Sequence, residues 1–140
     1  MLYYTTPVPR AVFDLIPALN ESELKVLLVV IHKTLGWKSE KTHTGRKECD
    51  WISGKQFQKG TGLSDRAISK ATASLVAQKW LIVMDDCGKV LETPQERKGK
   101  TRLYFRLAQA LMPATENYSQ VIRTKIGETA NIFRITKHYS

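Results

Sequence analysis

Long apolar runs are missing from this chain. The most apolar stretch, LLVVI from Leu27 to Ile31, lies between Lys25 and the His32–Lys33 pair. It is far shorter than the roughly 20 residues that cross a bilayer, which excludes a helical span and argues against a membrane partner. The opening residues, MLYYTTPVPR, hold neither a basic start nor an apolar signal core, so the expected location is cytoplasmic. Cysteine is scarce as well. Cys49 and Cys87 are the only two, and they fit neither a metal-ligand spacing nor a dense disulfide framework. Two reduced thiols are expected, with a single Cys49–Cys87 bridge as the alternative.

Acidic residues are in deficit. Thirteen Asp and Glu face 22 Lys and Arg, for a net charge of +9 and a pI near 9.7. That excess suits a polyanionic partner, most often nucleic acid; the plain alternative is a solvated basic surface. Signals for catalysis are also missing. Gly60-Thr61-Gly62 is not followed by the Lys-Ser/Thr of a phosphate-binding loop. His43 and Cys49 are not at a zinc spacing. Asp85 and Asp86 head a turn without a further carboxylate partner for two-metal chemistry. His32 sits among Leu and Val, as a tolerated boundary residue. Neither an enzyme nor a bound cofactor or metal is expected.

What is present is mostly helical patterning. Pro7 and Pro9 give an extended entry to a short helix with Val12, Phe13 and Ile16 inward, stopped by Pro17. Asn20 with Glu23 makes a capping box. Leu24, Leu27, Leu28, Ile31 and Leu35 then recur at helical spacing. Val26, Val29 and Val30 fill other faces, which marks a central helix. Gly36 is expected to close it in the left-handed conformation, with Trp37 packing back. Trp37, Trp51 and Trp80 read as core anchors. Lys38 to Asp50 reads as an exposed loop, and Trp51 to Ser53 as a very short strand. Leu81 to Met84 and Arg102 to Ala108 read as paired strands, joined through a basic tip, ERKGK. Beyond Met112, Ile122, Ile126, Ala130 and Phe133 fit a helix, while IFRIT fits a strand equally well.

The most informative stretch is QFQKGTGLSDRAISKATASLVAQKWLI, Gln56 to Ile82. It predicts a helix over Gly54 to Lys59 capped by Ser53. A turn follows in which Gly62 takes the left-handed conformation and Leu63 enters the core. A second helix starts at the Ser64 cap and runs to about Lys79. Two helices joined by such a turn form a helix-turn-helix. Ile68, Ala71, Leu75 and Val76 face inward; Asp65, Arg66, Ser69, Lys70 and Ala73 face outward. With a β-pair following, the fold class is mostly α with a small β component. The prediction is a winged helix-turn-helix, with a three-helix core plus a β-hairpin wing over residues 1–112 and a C-terminal extension over 113–140.

TPVPRAVFDLI, NESELKVLLVVIHKTLGW and WISGKQFQKGTGLSDRAISKATASLVAQKWLIV together resemble the N-terminal domain of phage replication protein O and related replisome organisers. The resemblance runs from about Tyr4 to Leu107. It implies a winged helix that binds repeated origin sequences on double-stranded DNA, in a bacterial cell or phage-infected host. It points to Ser64, Arg66, Ser69 and Lys70 as readers. The family often has Arg or Lys where Asp65 stands and a further basic residue near Thr72, and the segment from Asp85 to Lys100 is longer than its wing. The expected DNA contacts are Ser64, Asp65, Arg66, Ser69, Lys70 and Ala73 in the groove. Lys38, Lys41, Arg46 and Lys47 in the loop, with Arg97, Lys98 and Lys100 in the wing, would neutralise phosphates.

Replication initiation is thus the leading expectation. A transcriptional regulator with the same fold is the second, and would suit a homodimer on paired half-sites. A third is an interaction module in which the stripe from Val121 to Phe133 docks a helicase or helicase loader.

Overall fold

The chain is built around one helix. The computed structural model describes residues 5–39, 41 and 45–112, among which are five α-helices and a three-stranded antiparallel sheet. Helix α1 spans Arg10–Leu15 and leads through a 3-10 turn, Ile16–Ala18, to α2, Glu21–Lys33. Strand β1 is Asp50–Trp51, α3 is Gly54–Thr61 and α4 is Asp65–Ala77. Then come β2, Leu81–Met84; α5, Pro94–Arg97; and β3, Tyr104–Leu107, followed by a 3-10 turn at Gln109–Leu111.

Helix α2 starts at the capping box that Asn20 and Glu23 predict, with both reciprocal hydrogen bonds formed. It packs on α3, α4 and β3, and Val26, Leu27, Val29, Val30 and Ile31 are all buried. Glu23 is buried too, at 4% exposure. Its carboxylate accepts from the Asn20 N–H, from Ser74 Oγ and from Gln78 Nε2 at 2.9 Å. Burial raises its pKa, but these donors outweigh burial and hold it below the usual carboxylate value. The cap of α2 is therefore also its polar tether to α4.

Several expectations are corrected. On α1 only Val12 is buried; Phe13 is 58% exposed and Ile16 is also exposed. The α-helix ends at Leu15, and the tighter winding around Pro17 turns Ile16 off the Val12 face. Leu28 lies outward on α2 and Leu24 is only half-buried. Gly36 is not left-handed. Glycine is needed there because a Cβ would stand 2.3 Å from the His32 carbonyl oxygen, where the chain folds over the end of α2. Trp37 does not pack back, at 59% exposure, and Trp51 is 38% exposed; only Trp80 packs against the core. His32 is exposed and pairs with Thr6 Oγ1. Both cysteines are free thiols.

The sheet order is β1-β3-β2. Leu81 pairs with Leu107 and Met84 with Tyr104, while Trp51 pairs with Tyr104 from the other side. The inner face supplies Leu81, Val83, Phe105 and Leu107 to the core, and the Phe57 ring from α3 meets Phe105 edge-on at 5.0 Å. Strand β1 begins one residue earlier than predicted and joins this sheet. The connection from β2 to β3 is not a plain hairpin. The chain turns back at once, bridging Met84 to Val90, buries Leu91, and then forms α5 on a Thr93 cap. No described helix is long and apolar enough to cross a membrane. The extension over 113–140, including the stripe from Val121 to Phe133 and the IFRIT alternative, lies outside the described residues.

Candidate nucleic-acid interface

The turn between α3 and α4 is made as its residues require. Ser53 caps α3 in a full capping box with Gln56. Gly62 ends α3 with φ +74°, a conformation that costs a side-chain-bearing residue about 1 kcal/mol. Thr61 Oγ1 donates to the Phe57 carbonyl and accepts the Leu63 N–H, which fixes the turn from inside. Leu63 packs against the core, and Ser64 Oγ accepts the Ala67 N–H to cap α4.

Helix α4 then has two distinct sides. Ile68, Ala71, Thr72, Leu75 and Val76 are buried. Asp65, Arg66, Ser69 and Lys70 are exposed, and Ala73 is half-buried on the same side. Spacings of four residues (Asp65, Ser69, Ala73 and Arg66, Lys70) place them on adjacent rows of one face. Among the described residues neither Arg66 nor Lys70 has an ion-pair partner. Asp65 stands at the start of its own helix and 3.5 Å from where a Cβ of Gly54 would lie, at the start of α3. Both helix starts favour a carboxylate, which gives Asp65 a structural role at this position. The helix ends in a Schellman motif: the Lys79 N–H donates to Val76 and the Trp80 N–H to Leu75, with Lys79 left-handed at φ +68°. Its end is Ala77, two residues before the predicted Lys79.

The other expected cations are held differently. Lys38 and Arg46 bridge as an antiparallel pair, with the Ser39 N–H donating to Gly45 and the Lys47 N–H to Trp37. The supposed open loop thus folds back on itself. Lys38 and Lys41 are exposed, whereas Arg46 is half-buried. Lys47 Nζ pairs with Asp50 at 2.8 Å. In the segment after β2, Arg97 is half-buried and donates to the Leu91 carbonyl at 3.3 Å. Burial pushes its pKa down, against the opposing pull of Glu96. Lys100 lies 3.9 Å from Asp85. Lys98 is exposed and without an ion-pair partner among the described residues. Asp85 itself accepts from the Cys87 and Lys89 N–H groups, both at 2.9 Å. Its pKa is lowered first by the Lys89 hydrogen bond, with Cys87, Lys100 and Lys89 charge adding to it against burial.

Chemically, the α4 face offers a guanidinium, an ammonium and hydroxyls in one plane of approach, the donor set that phosphate oxygens and purine edges accept. No family model, no curated protein and no solved structure matches the chain. Two features escaped the sequence reading. One is α5, whose Thr93-Pro94 start with Glu96 at the third position was the available signal. The other is the solvent side of the sheet, where Arg102, Tyr104 and Arg106 recur with the strand period of two.

Proposed function

We propose that this chain is a winged helix-turn-helix protein that binds double-stranded DNA sequence-specifically, with α4 in the major groove, and that it acts in replication initiation at an origin of phage, prophage or plasmid type. The role in replication rests on the resemblance to the replication protein O family. The observation that carries DNA binding is the α4 face: Arg66 and Lys70 exposed on one side and without an ion-pair partner among the described residues, on a helix anchored by the buried Ile68, Ala71, Leu75 and Val76. The turn at Gly62 supports the reading, as does the net charge of +9. In this mechanism Arg66 and Ser69 read base edges, Lys70 and the Ser64 end of the helix contact phosphate, and Lys38, Lys41 and Lys98 neutralise the flanking backbone. The protein does so as a binding protein rather than an enzyme.

The test begins with selection of bound duplexes from a random pool, followed by gel shifts on the enriched sequence at graded salt. With about five phosphates neutralised, log K falls against log salt with a slope near −4.5. Arg66→Ala weakens the selected site by about 1–3 kcal/mol and relaxes preference at one base position. A slope near zero, or a pool that enriches nothing, rejects the proposal.

A further inference from the structure

The solvent side of the three-stranded sheet has no part in reading a duplex with α4. Its composition is unlike the rest of the surface. Residues directly opposed in a sheet share a face, so the pairing of Trp51 with Tyr104 and of Tyr104 with Met84 sets these three in one row across β1, β3 and β2. Alternation along β3 puts Tyr104 and Arg106 on this same side, while Phe105 and Leu107 point into the core, and Arg102, just before β3, reaches this side over Trp51. Trp51 is exposed, and the Arg102 guanidinium lies 4.8 Å from its ring centroid. Arg106 is half-buried, 3.8 Å from Glu48.

The geometry points to a platform for unpaired bases: the outer sheet face takes single-stranded nucleic acid, stacking bases on Trp51 and Tyr104 while the exposed Arg102 faces the phosphates. Three facts favour this occupant over a protein. The large exposed group is an indole at the open end of an aromatic row, and aromatic faces accept any base. The residues two before and two after Tyr104 are both arginines, Arg102 exposed just before β3 and Arg106 on it beside Glu48, and Arg102 is complementary to a phosphate chain. Arg102 already lies over the Trp51 ring, 4.8 Å from its centroid, a cation–π contact of the kind that joins guanidinium groups and bases in mixed stacks. The site is separate from α4, so it stands or falls independently of duplex reading.

The experiment is fluorescence anisotropy of the full chain with labelled single-stranded dT12 and, as a second arm, U12, which separates DNA from RNA as the source of the bases. Trp51→Ala weakens the tighter-bound oligomer by about tenfold, as loss of one stacked base does. Trp51→Phe retains most of the affinity, and Arg102→Ala, at an exposed position that leaves the fold intact, loses several-fold. The Arg66→Ala/Lys70→Ala pair impairs duplex binding and leaves dT12 and U12 binding unchanged. Three results overturn the inference. In the first, Trp51→Ala and Arg102→Ala leave both oligomers bound as before. In the second, the Arg66/Lys70 pair weakens them as much as Trp51→Ala. In the third, sedimentation shows a dimer that Arg102→Ala and Trp51→Ala dissolve, making this face a contact between copies.

Discussion

The cations of α4 and those between β2 and β3 are alike in sequence and different in the fold. Arg66 and Lys70 stand exposed on a rigid helix with no ion-pair partner among the described residues. Arg97 donates to the Leu91 carbonyl and Lys100 stands near Asp85, while Lys89 and Lys98 are exposed without an ion-pair partner among the described residues. A cation that must first leave an internal partner gains less from a phosphate than one that waits in solvent. Counting basic residues between β2 and β3 therefore overstates how many of them are free to meet an anion.

The largest effect that sharpens this contrast is Lys70→Glu. On the proposed duplex reading, a carboxylate on this face of α4 costs at least about 2 kcal/mol of duplex affinity, and Lys100→Glu costs clearly less in the same gel-shift series. Equal losses would break the comparison. Next, Lys98→Ala weakens all duplexes alike and makes the salt slope shallower by about one. Arg97→Ala acts on folding instead: losing a half-buried charge-assisted hydrogen bond costs about 1 kcal/mol in denaturant melts, with little change in the salt slope.

Asp85 supplies a pH test. Its folded pKa lies below the usual 3.8, so its contribution to stability is complete above that value and is lost as pH falls through the lower folded one. Asp85→Asn keeps an oxygen to accept the Lys89 N–H but gives up the charge. The variant's melting temperature is accordingly less sensitive to pH below about 4, the unfolded pKa of an aspartate, and on the proposed reading duplex binding tightens slightly as Lys100 is released. The smallest effect comes from Lys79→Gly. Relieving a left-handed lysine stabilises the fold by less than about 1 kcal/mol, after the added freedom of glycine in the unfolded chain is subtracted, and DNA binding stays the same.

Local signals were readable because their physics is local. The Asn20–Glu23 box, the Ser53 and Ser64 caps and the left-handed Gly62 each depend on neighbours a few residues away. The two-sided pattern of α4 was readable for the same reason, since 3.6 residues per turn converts spacing into facing. Misreadings arose where distant partners decide. Trp37, Trp51 and Phe13 looked like core residues because they are large and apolar, yet the interior was already filled by α2 and the inner sheet face. Gly36 was rightly singled out for the wrong reason, because its demand comes from the His32 carbonyl.

By itself, then, the amino-acid order determined where helices start, which side of α4 is apolar, and how much positive charge the surface must carry. Tertiary structure alone decided which of those charges stay unpaired, that β1 joins β3, and that Arg102 comes to lie over Trp51. The reason is range. Caps and periodicity act within a turn or two, whereas pairing and burial depend on residues some fifty positions apart, as the hydrogen bond from Ser74 to Glu23 and the strand pairing of Trp51 with Tyr104 illustrate.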